Sequence, residues 1–465
     1  MNVPGAVLVR REISSLAPDD PIVTGYARAV KRMRERDPED PTSWTYQAAI
    51  HGTTATPARK LWNQCQHATW YFLPWHRMYL YYFEKIVRAA VVEEGGPADW
   101  TLPYWNYCLG GQHAFLPEPF RKPAGGAQDP LYVPQRDAHL NDGTAGLPEY
   151  ATSPLTALAR PHYIGKAEFG GPRTGFQHSG ETWGQLEETP HNAVHVLVKG
   201  LMLHPETAAL DPIFWLHHAN IDRLWSEWLG MPGAHHANPS EPAWREFSFE
   251  FFDEHGKEVP LRCEDVLETA AQLLYTYDTE PVPAAPPAPA APPAVTTVSP
   301  PPREMIGATS HGVTLTGRQT TVSVPIGADV ADRLGENAHA YLNVEEIAGE
   351  HNPGVSYVVY AGLEGGEPPH PESPYYLGAL SFFGIERARN PVGDEAPHAL
   401  QASYDITPIA RELQAQGRWA GHELSVTFAP LTLVGPGAAP TDGVGEAPHE
   451  DQPIRLGRLS VFYDA

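Results

Sequence analysis

The sequence predicts a mainly α N-terminal domain followed by an all-β C-terminal domain built as an antiparallel sandwich or barrel. Three observations carry this. Apolar residues recur at helical spacing, with helix-start signals, in the first 280 residues. Ten of the 22 residues from 281 to 302 are proline, a segment that favours extended polyproline II over helix or sheet. After it, short β-rich runs with period-two alternation take over. The expected organisation is a domain over 1–280, a proline-rich linker over 281–303 and a β-rich domain over 304–465.

In the first part, Pro74 is expected to open a helix whose Tyr79, Leu80, Phe83, Ile86, Val87 and Ala90 share a face. A second helix is expected from Asp211 as cap and Pro212 at its first position, with Phe214, His218, Ile221, Trp225 and Trp228 on one side. Cys108 to Glu181 is rich in Gly, Pro and His and reads as a long irregular connection, of the kind usually packed over a site. In the second part, TTVSVPI, GVSYVVYAG, ELSVTFAPL and RLSVFYDA read as strands bounded by turn residues.

The 465 residues are 42% hydrophobic, enough for real cores. Lys plus Arg number 32 against 56 Asp plus Glu, a net charge of −24. So acidic a chain is a poor binder of nucleic acid or anionic membrane. Three cysteines make no disulfide framework, and Cys108 and Cys263 read as structural. No apolar run is long enough to span a membrane and no secretory signal is visible, so a cytoplasmic protein is the default expectation. The oligomeric state is left open.

The 22 histidines and 12 tryptophans exceed ordinary usage. Histidine is the commonest metal ligand. One cluster is His51, His67 and His76; another is His191, His195 and the pair His217–His218. His191 and His195 stand four apart, so a helix projects both from one face. Two such triads on four helices would make a dinuclear site inside a four-helix bundle. Imidazoles without carboxylates at ligand spacing disfavour magnesium, calcium and manganese, and leave zinc and copper both open.

FLPWHRMYL, and PHNAVH followed by DPIFWLHHANIDRLW, resemble the two metal motifs of the tyrosinase family of type-3 copper proteins, which includes tyrosinases, catechol oxidases and molluscan haemocyanins. The resemblance covers roughly residues 10 to 230. It implies two copper ions, one held by His51, His67 and His76 and the other by His191, His195 and His218, with dioxygen bound between them. The family's ligand is the second histidine of the pair, so His217 is expected beside the site. Cys65 stands two residues before His67, a spacing shared with fungal tyrosinases and molluscan haemocyanins, where the sulfur is bonded to the imidazole. The resemblance therefore implies a Cys65–His67 thioether, which would preorganise the ligand. Asn192, and Glu187 four residues before His191, match the positions that hold a water proposed to take the proton from an incoming phenol. Such a base is needed because a phenol is neutral near pH 7. The position gating substrate approach falls on Pro205, with His204 beside it.

The second part resembles, less specifically, the C-terminal β-domain of plant polyphenol oxidases and molluscan haemocyanin units. There the domain lies over the copper site and pushes one side chain into the entrance. Tyr375, Tyr376 and Phe382 are the plugs expected here, with release by cleavage in the linker. The function implied is oxidation of o-diphenols, with o-aminophenols as a close variant, to o-quinones by O2, with monophenol hydroxylation as a possible first step. A haemocyanin-like oxygen carrier with a permanently covered site is the first rival, and a dinuclear zinc hydrolase the second.

Overall fold

A computed structural model describes residues 6–123, 129–232, 236–280, 304–328, 338–363, 366, 368–393, 395–437, 443–444 and 451–464. The proline-rich linker expected over 281–303 lies outside the described residues. The chain forms two compact units. One takes in the described residues of Met1–Gln66, Tyr71–Gly146 and Val198–Val295; the other takes in those of His67–Trp70, Leu147–Leu197 and Thr296–Ala465. The division is not linear in sequence: residues 67–70 and 147–197 group with the C-terminal part.

The first unit is mainly helical. α1 (Pro21–Arg34) begins with Pro21 behind the cap Asp20, whose side chain accepts from the Ile22 N–H, and buries Val23, Tyr26, Ala29, Val30 and Met33. α2 (Trp44–His51) is capped by Ser43 and ends on His51. α3 (Phe72–Glu93) starts two residues before Pro74. Pro74 therefore lies within the first turn, where a missing N–H costs no intrahelical bond. Beyond it, α4 (Ala138–Asn141) is one turn, and so are α5 (Glu149–Thr152) and α6 (Leu155–Leu158) of the second unit. The stretch from Cys108 to Glu181 is thus irregular, as its composition suggests.

α7 (Ala193–Val198) and α8 (Pro212–Gly230) follow. Asp211 caps α8 by accepting from the Ile213 N–H at 3.0 Å, and the Arg136 guanidinium holds the same carboxylate in a buried fork. α9 (Pro242–Arg245) and a hairpin of β2 (Ser248–Phe252) with β3 (Glu258–Arg262) complete the first unit, together with β1 (Leu8–Arg10) paired in parallel to β4 (Tyr275–Tyr277). α3 and α8 are locked together. Phe83 and Trp215 stack with centroids 3.3 Å apart. Buried Asp222 of α8 accepts from Arg77 of α3, from Arg10 of β1, and from the hydroxyls of Tyr275 and Tyr277 of β4. Arg10 also reaches Glu84 of α3 at 2.7 Å. Five hydrogen bonds from four side chains onto two carboxylates make the burial of these charges tolerable.

The second unit is built on an antiparallel β-sandwich. β7 (Thr320–Pro325), β9 (Tyr357–Ala361), β10 (Tyr376–Leu380) and β12 (Glu423–Pro430) form one sheet in the order β10-β9-β12-β7. β5 (Glu304–Ala308), β8 (His339–Ile347), β11 (Leu400–Asp405) and β16 (Arg458–Asp464) form the other in the order β11-β8-β16-β5. β6 (Val313–Leu315) pairs with β15 (Ile454–Leu456), and β13 (Leu433–Val434) with β14 (Gly443–Val444). Both sheets are open, so of the two expected forms the sandwich holds and the barrel does not. Val359, Val426 and Phe428 of one sheet and Leu342, Val344 and Val461 of the other belong to one core. α10 (Ile385–Arg389) and α11 (Thr407–Ala415) contribute Ile385, Ile409 and Leu413 to it. Among the described residues no helix is long and apolar enough to cross a membrane.

Candidate metal centre

In the first unit His51, His76 and His218 converge from α2, α3 and α8, and their ligand nitrogens lie within 4.8 Å of one another. All three are buried. The rings of His76 and His218 stack with centroids 4.5 Å apart, and Phe214 packs on His218 at 4.1 Å. The Nδ1 of His51 meets the Pro205 carbonyl and that of His76 meets the Phe72 carbonyl, both at 2.8 Å. A carbonyl only accepts, so each Nδ1 carries the proton and each Nε2 presents its lone pair. His217 is outside this group. Its Nδ1 is 2.9 Å from the hydroxyl of buried Tyr107.

In the second unit α7 is preceded by an irregular helical turn, Glu187–Asn192, broken at Thr189 with φ −141 and ψ 121. This turn and α7 place the rings of His191 and His195 4.6 Å apart. The His67 ring lies 5.8 Å from that of His191. The His191 Nδ1 meets the Asn192 amide oxygen at 2.9 Å, which again turns Nε2 outward. The Asn192 amide nitrogen is buried without a hydrogen-bond partner among the described residues. Next to His67, Ala68 has a left-handed φ of 52, and its N–H donates to both Glu187 oxygens at 2.8 and 2.9 Å. Burial pushes the Glu187 carboxyl well above its usual range, with neighbouring Glu188 adding to the effect and the Ala68 N–H opposing it. Glu188 is also buried, and burial raises its carboxyl to about 8 against the bonds from Tyr404 and Gln185.

The ring of Phe383 reaches three of these histidines. It stacks on His195 at 4.2 Å and meets His67 at 5.4 Å and His191 at 5.7 Å edge-on. The expected plugs are not so placed. Phe382 is buried in the sandwich core, 6.0 Å from Tyr357. Tyr376 gives its hydroxyl to the Tyr150 carbonyl, and Tyr375 packs against the sandwich. The residue that reaches the histidines is the next one in sequence, Phe383, and the doubled Phe382–Phe383 after β10 is the signal that could have pointed to it. Tyr107, partner of His217, had no signal at all.

The other expected residues are found as follows. Cys65 is fully buried. Pro205 is buried with its carbonyl on His51, and His204 is half-buried.

The donor set is a test of the metal. Among the described residues, the groups of His, Cys, Asp and Glu close enough to hold an ion consist of His and Cys alone. Neutral imidazoles in dry surroundings suit copper and exclude hard oxygen-seeking cations. The residues present therefore fit copper.

Comparison with known proteins agrees. The common central domain of tyrosinase matches residues 41–146 and 144–231, and the polyphenol oxidase middle domain matches 238–289. A domain of unknown function matches 302–464. A tyrosinase of Hahella sp. (strain CCB-MM4) is 35% identical over 452 residues, covering 88% of this chain and 93% of its own. A chloroplastic polyphenol oxidase of Vitis vinifera is 31% identical over 315 residues, covering 59% of this chain; the chain spans only 48% of that longer protein. The structure of latent apple tyrosinase superposes with a TM-score of 0.65 at 21% identity, covering 100% of this chain and 98% of its own, which shows a shared fold. With its histidine clusters and these relatives, the chain belongs to the tyrosinase/polyphenol oxidase family of enzymes, whose cofactor is two copper ions.

Proposed function

We propose that this phenol oxidase is latent, that it converts o-diphenols and the related o-aminophenols to o-quinone products with O2, and that it hydroxylates monophenols once open. The observation that carries the reading is the Phe383 ring stacked on His195. A flat phenol approaching His195 would stack on the same imidazole face, so Phe383 excludes it while it stays. Bound copper would supply activation of O2 for the two-electron oxidation of the diphenol.

The chain's own residues hold, orient and deprotonate. His51, His67 and His76 hold one copper, and His191, His195 and His218 the other, each through the nitrogen that its Nδ1 partner leaves exposed where such a bond exists. Glu187 and the Asn192 amide nitrogen hold the water that takes the phenol proton. Burial raises the Glu187 carboxyl, and the Ala68 N–H, which donates to both its oxygens, holds it in place. Pro205 and His204 border the substrate approach. Cys65, buried beside no solvent, becomes bonded to a carbon of the His67 imidazole; the thiol and ring each lose a hydrogen, and O2 is the oxidant. Intact-mass measurement then shows a copper-loaded chain lighter by two hydrogen atoms.

The deciding experiment is turnover of catechol by the copper-loaded full chain before and after cleavage within 281–303. Quinone formation rising on cleavage supports latency. Equal rates in both forms overturn it, and two coppers with no turnover in either form would turn the reading to an oxygen carrier.

A further inference from the structure

His51 is the last residue of α2, and its ring is set by a segment far along the chain. The Nδ1–H donates to the carbonyl of Pro205 at 2.8 Å, in a fully buried place. That carbonyl could not approach any other residue than glycine at position 52. A Cβ on Gly52 would lie 2.4 Å from the Pro205 oxygen and 2.9 Å from both the Pro205 carbon and the Glu206 Cα. Gly52 has φ −169 and ψ 149, an extended backbone open to any residue. Its reason for being glycine is therefore space, not conformation. Both sides of the contact are pinned. The Gly52 N–H closes α2 on Ala48, and the next residue, Thr53, donates its N–H to Asn63. Across from it, the Thr207 and Ala208 N–H groups both donate to the His204 carbonyl, and the Thr207 hydroxyl donates to Leu201.

We infer that Pro205, through its main-chain carbonyl, is a positioning residue for the copper ligand His51, and that Gly52 is the vacancy that lets it act. The inference rests on the reading of His51 as a ligand. It has a functional consequence: the segment expected to gate substrate is the one that orients a metal ligand. The Pro205 ring and the Pro205 carbonyl then act on different steps, the ring on substrate and the carbonyl on copper.

The test uses the full chain. In copper-free protein labelled with 15N-histidine, His51 should be the Nδ1–H tautomer with a slowly exchanging proton; an Nε2–H tautomer overturns the inference. Gly52→Ala should weaken copper binding by about 10- to 100-fold and leave about one copper per chain. Pro205→Ala keeps a carbonyl at that position and should keep both coppers, with the change falling on KM for catechol. Wild-type copper affinity in Gly52→Ala, or copper loss in Pro205→Ala equal to that in Gly52→Ala, overturns it. If Gly52→Ala does not fold, the tautomer decides. A wild-type chain that takes up no copper would sink the copper reading, and the tautomer would still report on the Pro205 contact by itself.

Discussion

The ring of Phe383 lies on the imidazole of His195, with centroids 4.2 Å apart and planes 24° from parallel. Such a contact is worth about 0.5–1.5 kcal/mol beyond the area it covers. Phe383→Ala should therefore raise catechol turnover by the uncleaved chain, by about 2- to 10-fold on that energy scale. An unchanged rate, with copper content equal to wild type, would show that Phe383 is not the obstruction.

The two histidines at 217 and 218 should separate cleanly. His218 shares a cluster with His51 and His76, and the His217 Nδ1 is engaged by the Tyr107 hydroxyl. Metal analysis of His218→Gln should find about half the copper of the wild type. His217→Gln should keep the full amount. The reverse result would exchange the two assignments.

Glu187→Gln keeps one oxygen to receive the Ala68 N–H but removes the ionisable carboxyl that holds the base water. On a monophenol its kcat should fall by about 10²-fold or more, with copper content unchanged. A kcat equal to wild type would remove Glu187 from the reaction.

Glu188 makes stability depend on pH. Burial favours its neutral form, so the folded carboxyl sits at about 8 against 4.5 for the ordinary group. Its contribution is full below the ordinary value and is lost as pH rises through about 8. Within that window each pH unit costs about 1.4 kcal/mol per group. Thermal melts of Glu188→Gln, which still accepts from Tyr404, should show a shallower fall in stability between about pH 4.5 and about 8 than the wild type. Parallel curves would contradict the assignment.

Asp222 gathers Arg10, Arg77, Tyr275 and Tyr277 in one buried network. Asp222→Ala leaves buried Arg77 without its carboxylate and Arg10 with Glu84 alone, and should cost about 3–5 kcal/mol. Denaturant unfolding measures it; a loss below about 1 kcal/mol would mean the network contributes no more than a surface pair.

Much of this was legible in sequence because the signals are local. The four-residue spacing of His191 and His195, the Asp211–Pro212 start of α8 and the alternating runs of β7, β9, β12 and β16 each depend on near neighbours. Which of the two phenylalanines meets His195 was not legible. Phe382 and Phe383 stand in the turn between β10 and α10, where one position decides whether a phenylalanine enters the sandwich, as Phe382 does, or meets His195, as Phe383 does. Composition is identical for both.

The sequence by itself determined the two fold classes, the histidine motifs and the family they belong to, since helix caps, strand periodicity and motif spacing are written within a few residues of each other. Only the tertiary structure decided which groups orient those histidines and Glu187. The Pro205 carbonyl on His51, the Tyr107 hydroxyl on His217 and the Ala68 N–H on Glu187 join positions 154, 110 and 119 residues apart. Two of the three involve a main-chain atom, which every residue carries and which no pattern of side chains can reveal.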